Sequence, residues 1–398
     1  MSKLQKIAAL VAGVAATAQA YALEPAPVEM GGFQMIPTLS VATGYDDNPF
    51  SAQDGEEESM MVSTIAPSLQ FLAQQQDNIY SLDLGVTRGI FHDSTSDNYT
   101  DFNLSGAAQI VLNARNRFDL GAGVFSGHED RGTGGTQGLG AFIEGPTEYD
   151  DTTLGGKYTF GAQSAKARLE FTADYLEKEF DRSGPLGAAV ANRDREDAAI
   201  GARLLYAVSA DTDVTVELRS TDADYTSETR PRSLDNVDQE VFVGAEWDAT
   251  GKTSGYAKIG YSRKDFDTVF REDNSTVNWA AGIVWEPRTY SVVTFTTSRD
   301  EEETTGTGNF IDTISHGVNW THAWNEQVST DVAYNLRQEE YVGSAQDDDT
   351  DSFSAKVTYA YDRWLDIGLG FDYTDKSSTV SALDFDRNKI VLSFDLSL

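Results

Sequence analysis

The sequence predicts an all-β protein, a closed antiparallel transmembrane β-barrel of the outer-membrane type with about 18 strands, or 16 as the alternative count. Three observations predict it. Alternating apolar and polar residues recur from residue 37 to the chain end, which gives each strand one apolar and one polar face. Short connections and long acidic loops alternate strictly between these stretches. Aromatic residues gather beside the short connections. A soluble sandwich would not require this regular order.

The first 22 residues have the pattern of an export signal. Lys3 and Lys6 precede the apolar stretch 7–16, and an A-x-A cleavage site ends at Ala20 or Ala22. The apolar stretch is shorter than the ~20 residues that a spanning helix requires. We therefore expect a signal peptide over residues 1–22, a short periplasmic segment over 23–36 and a single barrel over 37–398.

Composition excludes several classes of function. The formal net charge of −34 opposes nucleic-acid binding, which needs a basic surface. The chain contains no cysteine, so neither disulfides nor thiolate chemistry are available. The acidic runs 54–58, 300–303 and 347–351 are expected in extracellular loops, where solvation is their simplest role. Binding of divalent cations that bridge to lipopolysaccharide is the alternative, but no calcium-loop spacing is present. We therefore expect neither a metal site nor a cofactor.

The predicted strands follow one another without a linker that would divide the barrel. In the last strand, Ile390, Leu392 and Phe394 alternate with polar residues. Pro67 lacks an N–H donor, so we expect a bulge or a local break in the second strand. The strands are predicted near 37–46, 61–74, 79–91, 100–112, 117–127, 149–161, 166–179, 195–208, 213–225, 236–248, 254–266, 274–286, 290–300, 309–324, 327–340, 352–362, 364–375 and 385–398.

The short connections are expected at the periplasmic side, and the long loops at the extracellular side. Aromatic rings with a polar edge favour the membrane–water interface, so those beside the short connections predict a periplasmic girdle. The predicted girdle consists of Tyr80, Phe118, Tyr158, Phe160, Tyr206, Trp247, Tyr256, Trp285, Tyr290, Trp320, Trp324, Tyr359, Tyr361 and Trp364.

The polar positions of the strands predict a lumen wall that carries charges of both signs. Their simplest role is to pair across strands and keep a wide lumen hydrated, and the alternative is a series of donors and acceptors that guides a polar solute. The predicted pore-lining residues are Asp83, Lys157, Arg168, Glu170, Arg203, Glu217, Arg219, Glu246, Lys258, Asp331, Arg337, Lys356, Asp366, Asp372 and Lys389.

The longest connection, from Gly127 to Glu148, is the third outer loop. It is rich in glycine and has an apolar patch at Leu139, Ala141, Phe142 and Ile143. We expect it to fold into the lumen, bury this patch against the wall and constrict the pore, because loops of this length are usually functional or disordered. A mobile surface loop is the alternative. The candidate constriction residues are Glu129, Asp130, Arg131, Phe142 and Glu144.

Residues 44–50 read Gly-Tyr-Asp-Asp-Asn-Pro-Phe at the end of the first strand. This stretch resembles the early G-Y-D-D-N-x-F pattern of the family catalogued as putative β-barrel porin 2. The resemblance implies an outer-membrane barrel, and a role in exopolysaccharide or capsule export or assembly. One departure concerns the chain end: outer-membrane strands usually end in an aromatic residue, whereas this chain ends in Leu398, with Phe394 the nearest ring.

No catalytic site is expected. The four histidines are His92, His128, His316 and His322. The first two stand beside acidic residues in predicted loops, but no G-x-S-x-G or H-E-x-x-H pattern is present. His316 falls among apolar positions, which predicts a register shift or a bulge in that strand.

Two classes of function remain. One is a channel in the outer membrane of a Gram-negative bacterium, either a porin for polar solutes or an export pore for a polysaccharide. The other is a non-conducting barrel that serves as an adhesin, a receptor or a scaffold. The expected partners are outer-membrane lipids, lipopolysaccharide and the barrel-assembly machinery, with a polysaccharide as a further candidate and no nucleic acid. The acidic composition opposes passage of a polyanion, which should favour a basic lumen.

Overall fold

Alternation of apolar and polar residues produces strands throughout the chain. The computed structural model describes residues 27–183, 187–226 and 233–397. Its strands are β1 (Val28–Met30), β2 (Phe33–Asp46), β3 (Met60–Gln75), β4 (Asn78–Phe91), β5 (Tyr99–Asn113), β6 (Asn116–Glu129), β7 (Thr147–Phe160), β8 (Ala167–Phe180), β9 (Arg195–Ala207), β10 (Thr212–Tyr225), β11 (Asn236–Thr250), β12 (Thr253–Phe266), β13 (Asn274–Arg288), β14 (Ser291–Glu303), β15 (Phe310–Ala323), β16 (Val328–Val342), β17 (Asp347–Asp362), β18 (Leu365–Ser378) and β19 (Phe385–Ser397).

Strands β2 to β19 form one closed antiparallel barrel of eighteen strands, as predicted. Each strand pairs with its neighbours along the chain, and β19 pairs with β2 from Thr38↔Ser397 to Asp46↔Lys389. Closure leaves the barrel without an open sheet edge, whose unpaired backbone groups hydrocarbon would not tolerate. The short strand β1 lies outside this barrel and pairs with the first residues of β2. The predicted signal peptide lies outside the described residues.

Several strands are longer than predicted. Strand β2 begins at Phe33 instead of Pro37, so part of the predicted segment 23–36 belongs to the sheet. The acidic runs 300–303 and 347–351 lie in β14 and β17, and only the run 54–58 lies in a loop. The expectation of three acidic loops was therefore wrong. The backbone ladder continues through these runs, with pairs such as Glu303↔Phe310 and Glu340↔Asp347, while the carboxylates project away from it.

The connections alternate between two ends of the barrel. The turn end carries the eight connections that were predicted to be short, and these have two to six residues. The nine connections at the loop end range from four residues at 343–346 to seventeen at 130–146, so the prediction that all of them are long was wrong. The loop end also has short helical segments at Thr95–Asp97, Gly134–Thr136, Gly187–Val190, Ala191–Arg193 and Ser381–Leu383. Among the described residues, no helix is long and apolar enough to cross a membrane. Pro67 produces a local break without a bulge: pairing with β4 stops at Ile65↔Arg88 and resumes at Ser68↔Gly85 in the same register.

The two faces of the wall differ as the alternation predicts. Lys356 of β17 reaches Asp395 of β19, two strands away, at 3.7 Å, which identifies their face as the concave one. Leu369 and Val357 lie on the opposite, convex face and are exposed. The predicted aromatic girdle at the turn end lies on the convex face or in the turns, with one exception. Tyr256 pairs with Glu246 and Gly282 and faces the lumen on the same side of β12 as Lys258, so its assignment to the girdle from its place beside a short connection was wrong.

Candidate functional site: the lumen and its loop-covered mouth

All fifteen predicted pore-lining residues lie on the lumen face. Paired residues on neighbouring strands point to the same side of the wall, and the pairings from β3 to β19 place these fifteen residues on one side. The residues are Asp83, Lys157, Arg168, Glu170, Arg203, Glu217, Arg219, Glu246, Lys258, Asp331, Arg337, Lys356, Asp366, Asp372 and Lys389. The alternation in the sequence was sufficient to place them because one face of every strand is apolar.

Most lumen cations have a carboxylate partner. Arg203 is the centre of the largest group and contacts Glu170 at 3.8 Å, Glu217 at 3.9 Å and also Glu246. Lys258 contacts Glu217 at 3.4 Å. Further lumen pairs join Arg168 with Asp213, Arg219 with Asp174, Lys157 with Asp119, and Arg337 with Glu302 and Glu339. Pairing across strands is therefore present, whereas guidance of a solute stays a prediction.

A second polar group narrows the lumen near the loop end. Pairing between β13 and β14 stops at Trp279↔Arg299, so the last residues of β14 leave that neighbour. Glu303 then accepts hydrogen bonds from the Tyr225 hydroxyl at 2.6 Å and from Lys264 at 2.5 Å. Lys264 is only 2% exposed. Strict alternation would place Glu303 outside the barrel, so this inward contact is not predictable from the sequence pattern.

The loop 127–148 lies across the mouth and is held by two buried charged pairs. Glu129 accepts from both terminal nitrogens of Arg193, at 2.6 and 2.8 Å, on the β8–β9 connection. Arg131 lies 3.2 Å from Asp97 on the β4–β5 connection, and its guanidinium lies 3.4 Å from the centroid of the Phe50 ring on the β2–β3 connection.

The middle of this loop reaches the far side of the barrel. Gln137 donates to the hydroxyl of Tyr341 at the end of β16, at 3.4 Å. Gly138 lies so close to Leu383 on the β18–β19 connection that an added Cβ would be 2.8 Å from the leucine side chain. The loop therefore joins connections that stand around the whole mouth. This arrangement agrees with a constriction at the mouth and differs from a mobile surface loop.

One part of the prediction for this loop was wrong. Phe142 is 75% exposed and Leu139 is 42% exposed, so the apolar patch 139–143 is not packed against the barrel wall. Glu144 is also exposed, and Asp130 lies 3.1 Å from His128. The loop glycines allow backbone to approach backbone closely, so the charged and polar residues of the loop make its contacts with the neighbouring connections. The apolar residues at the tip remain exposed.

The stretch Gly44–Phe50 closes the barrel at its loop end and supports the loop 127–148. Asp46 is 1% exposed and pairs with Arg387 of β19, at 3.0 Å from Nε. The Asn48 side chain receives a hydrogen bond from the Ala52 N–H and donates to the carbonyls of Ala52 and Asp386. Phe50 stacks on Phe91 with ring centroids 5.8 Å apart and receives Arg131 on its ring. These contacts explain the consecutive polar residues of this stretch, which alternation alone does not.

The histidines form no catalytic arrangement in the part of the chain that the structure describes. His92 Nε2 lies 2.9 Å from the Ser63 hydroxyl, but no described residue orients the other ring nitrogen. His128 lies between Asp101 and Asp130 and stacks on Tyr99. The predicted bulge at His316 was wrong, because β15 keeps one register there and places this ring on the convex face. His322 packs among girdle rings, 4.4 Å from Trp324.

Three exposed carboxylates, Asp54, Glu57 and Asp386, meet at the loop end with oxygens within 4.8 Å of one another. They are the one group of this kind within residues 27–183, 187–226 and 233–397. Exposed acidic groups of this composition are consistent with the solvation role expected for the run 54–58.

Comparison with known proteins identifies the family. The model of the family putative β-barrel porin 2 matches residues 21–397. The chain belongs to this family. The fold and the family make it a porin-like outer-membrane barrel. No curated protein matches the sequence.

Solved structures show a similar fold at low sequence identity. OpdO from Pseudomonas aeruginosa is 13% identical with a TM-score of 0.50, and the match covers 92% of this chain and 97% of that one. A BenF-like porin from Pseudomonas fluorescens Pf-5 is 12% identical with a TM-score of 0.50, and the match covers 92% and 99%. The chain spans 62% of the FrpB iron transporter from Neisseria meningitidis, at 10% identity and a TM-score of 0.46.

Proposed function

We propose that this protein is an outer-membrane channel for small hydrophilic solutes, with the loop 127–148 as the constriction at its mouth. The observation that carries the proposal is the combination of a lumen wall of paired charges with a loop fixed across one end. Paired charges keep a wall hydrated without binding any one ion strongly. The loop limits the size of what can enter.

A polymer export pore fits the mouth less well. Arg131 and Gln137 tie the same loop to connections on different sides of the barrel, so a chain passing outward would have to displace it. Small solutes can pass beside a fixed loop. We therefore favour entry of small solutes over polysaccharide export. The same arrangement would also suit a non-conducting surface barrel if the loop closed the mouth fully.

Solute uptake into vesicles separates these functions. We expect proteoliposomes that contain the barrel to swell in isosmotic solutions of a pentose or a hexose, and to swell more slowly as the solute becomes larger. Deletion of residues 132–145 should raise the rate most for the larger solutes, because it removes the proposed constriction. Val269→Ser combined with Phe270→Ser, on the exposed β12–β13 connection, is the control and should leave the rate unchanged. Absence of swelling with a correctly folded barrel would contradict the channel and favour a surface barrel.

Targeting and partners complete the proposal. We propose that residues 1–22 direct export to the periplasm and that the barrel-assembly machinery then inserts the chain, with Phe394 in place of a terminal aromatic residue. Outer-membrane lipids and lipopolysaccharide would surround the convex face, with the loop end extracellular. Mass spectrometry of the mature protein should find its first residue at position 21 or 23. An uncleaved N-terminus in outer-membrane fractions would contradict this assignment.

A further inference from the structure

One part of the lumen wall is recessed. Between β3 and β10 the wall encloses a cavity of about 740 Å³, within the ~300–1,000 Å³ common for small-molecule sites. Its floor includes Gly121, Gly123 and Gly155, which carry no side chain into the lumen, beside the small side chains of Ser105, Ala107 and Thr153. We call this feature the glycine bay.

Polar side chains border the glycine bay. Asp83 accepts a hydrogen bond from Gln70 at 2.7 Å on one side. Arg219 donates to Asp174 at 3.1 Å on the other side. Carboxylate, amide and guanidinium groups in this arrangement can form paired hydrogen bonds with neighbouring hydroxyls of a ligand. The border therefore offers both hydrogen-bond acceptors and donors at the edge of the glycine floor.

Three aromatic side chains lie on the lumen face between the mouth and the glycine bay, outside its lining. Phe125 follows Gly123 on the same face of β6, and its ring is 36% exposed although it lies in the barrel wall. Its centroid lies 6.0 Å from that of Tyr149, which lies 5.6 Å from that of Phe180. An exposed ring in a polar lumen provides a flat apolar surface beside the polar border.

The charges near the bay favour a neutral ligand. The carboxylates of Asp174 and Asp197 are each paired, with Arg219 and Arg195 respectively. Asp83 is held by an amide, and Lys178, which lies nearer the loop end, is paired with Asp151. An anion would meet these carboxylates, and a cation would meet the arginines and the lysine. A neutral molecule with many hydroxyls meets neither penalty.

We propose that the glycine bay is a binding site for a neutral monosaccharide or disaccharide. The C–H face of a sugar ring would lie on the glycine floor, while its hydroxyls would bond with Asp83, Gln70 and the Asp174–Arg219 pair. This inference rests on the proposed channel function, because it names the class of solute that such a channel would select.

The test compares ligands that share a ring and differ in charge. Isothermal titration calorimetry of the detergent-solubilised barrel is performed with glucose, glucuronate and glucosamine. Gly121→Phe fills the bay, and its Cβ has no atom nearer than 4.0 Å, so the side chain can enter without a backbone clash. Gly370→Phe is the matched control on the opposite wall, where the nearest atom to an added Cβ is 3.9 Å away. Asp83→Asn provides a second, nearly isosteric probe.

We expect glucose to bind the wild type and Gly370→Phe, with loss of binding in Gly121→Phe and about tenfold weaker binding in Asp83→Asn. Glucuronate and glucosamine should bind more weakly than glucose. Equal glucose binding by Gly121→Phe, a preference for either charged ligand, or no glucose binding by the wild type would overturn the proposal. A barrel that conducts without binding glucose refutes the bay alone, whereas one that binds glucose without conducting refutes the channel alone.

Discussion

At the scale of single residues, the face of the strand decides whether a side chain meets lipid or the lumen. Leu369 and Gly368 are adjacent in β18, yet one meets lipid and the other the lumen. The alternation was readable from the sequence because its period is the period of the strand. Tyr256 was assigned to the girdle from its ring and its place beside a turn, although the alternation puts it on the lumen face with Lys258. Its large ring at the end of a strand does not itself indicate a face.

Charge should therefore be tolerated on one face and not on the other. We expect Leu369→Arg or Val357→Arg to cost about 2–4 kcal/mol and to impair assembly, because both side chains project into the lipid region. Thr358→Arg should insert normally and alter conductance instead. Gly368→Arg should do the same once the Ser393 hydroxyl and the Lys356 side chain, the nearest groups to an added Cβ, move aside. Heat-modified mobility on gels measures assembly, and equal assembly of both sets would show that the register is wrong.

The pair of Asp46 and Arg387 offers a second test at this scale. Arg387→Ala leaves the carboxylate of Asp46 buried without its partner, which should cost about 3–5 kcal/mol in the free energy of unfolding. Arg263→Ala is the control, because its pair with Asp265 is exposed and screened by solvent, so its loss should change the stability much less. Urea unfolding in lipid vesicles measures both changes. Similar losses for the two variants would mean that the pair does not stabilise the closure of the barrel.

At the scale of elements, strands were predictable and loop contacts were not. The existence and order of β2 to β19 follow from local periodicity, although strands such as β17 extend further because their ladders continue beyond the apolar band. The contacts of the loop 127–148 depend on residues distant in sequence, such as Arg193 and Tyr341, and no periodicity reports those. The sequence indicated a functional loop but misplaced its apolar tip.

The anchoring of this loop can be tested by proteolysis. Arg131 is 8% exposed and its guanidinium contacts Asp97. Asp97→Ala should release the arginine and accelerate tryptic cleavage after it, which mass spectrometry of the fragments detects. Asp265→Ala is the control, since it frees the already exposed Arg263 and should leave cleavage at Arg131 unchanged. An unchanged rate in Asp97→Ala would show that this pair does not hold the loop.

At the scale of the whole molecule, closure pairs the first barrel strand, β2, with the last, β19. Ala42 of β2 is paired with Ser393 of β19. The chain contains no cysteine, so introduced pairs can be tested without background. Closure was predictable because an open sheet edge is not viable in hydrocarbon. The sugar-sized recess in the wall was not, because it arises from glycines on different strands that only the folded register brings together.

Cross-linking tests this closure. Ala42→Cys with Ser393→Cys should form a disulfide on oxidation, because paired residues on one face lie about 4.5–5.5 Å apart. Ala42→Cys with Leu392→Cys is the control and should not cross-link, since Leu392 points to the opposite face. The linked chain is recognised by its altered mobility on denaturing gels. A folded barrel that fails to cross-link the first pair would contradict the proposed seam.

The central claim is that the barrel conducts and that the loop 127–148 narrows its mouth. Single-channel recording in a planar bilayer tests it most directly, with the wild type compared with the deletion of residues 132–145. We predict stable conductance for the wild type, together with a higher conductance and weaker ion selectivity for the deletion. A correctly assembled wild type that does not conduct, or a deletion whose conductance and selectivity equal those of the wild type, would contradict the account.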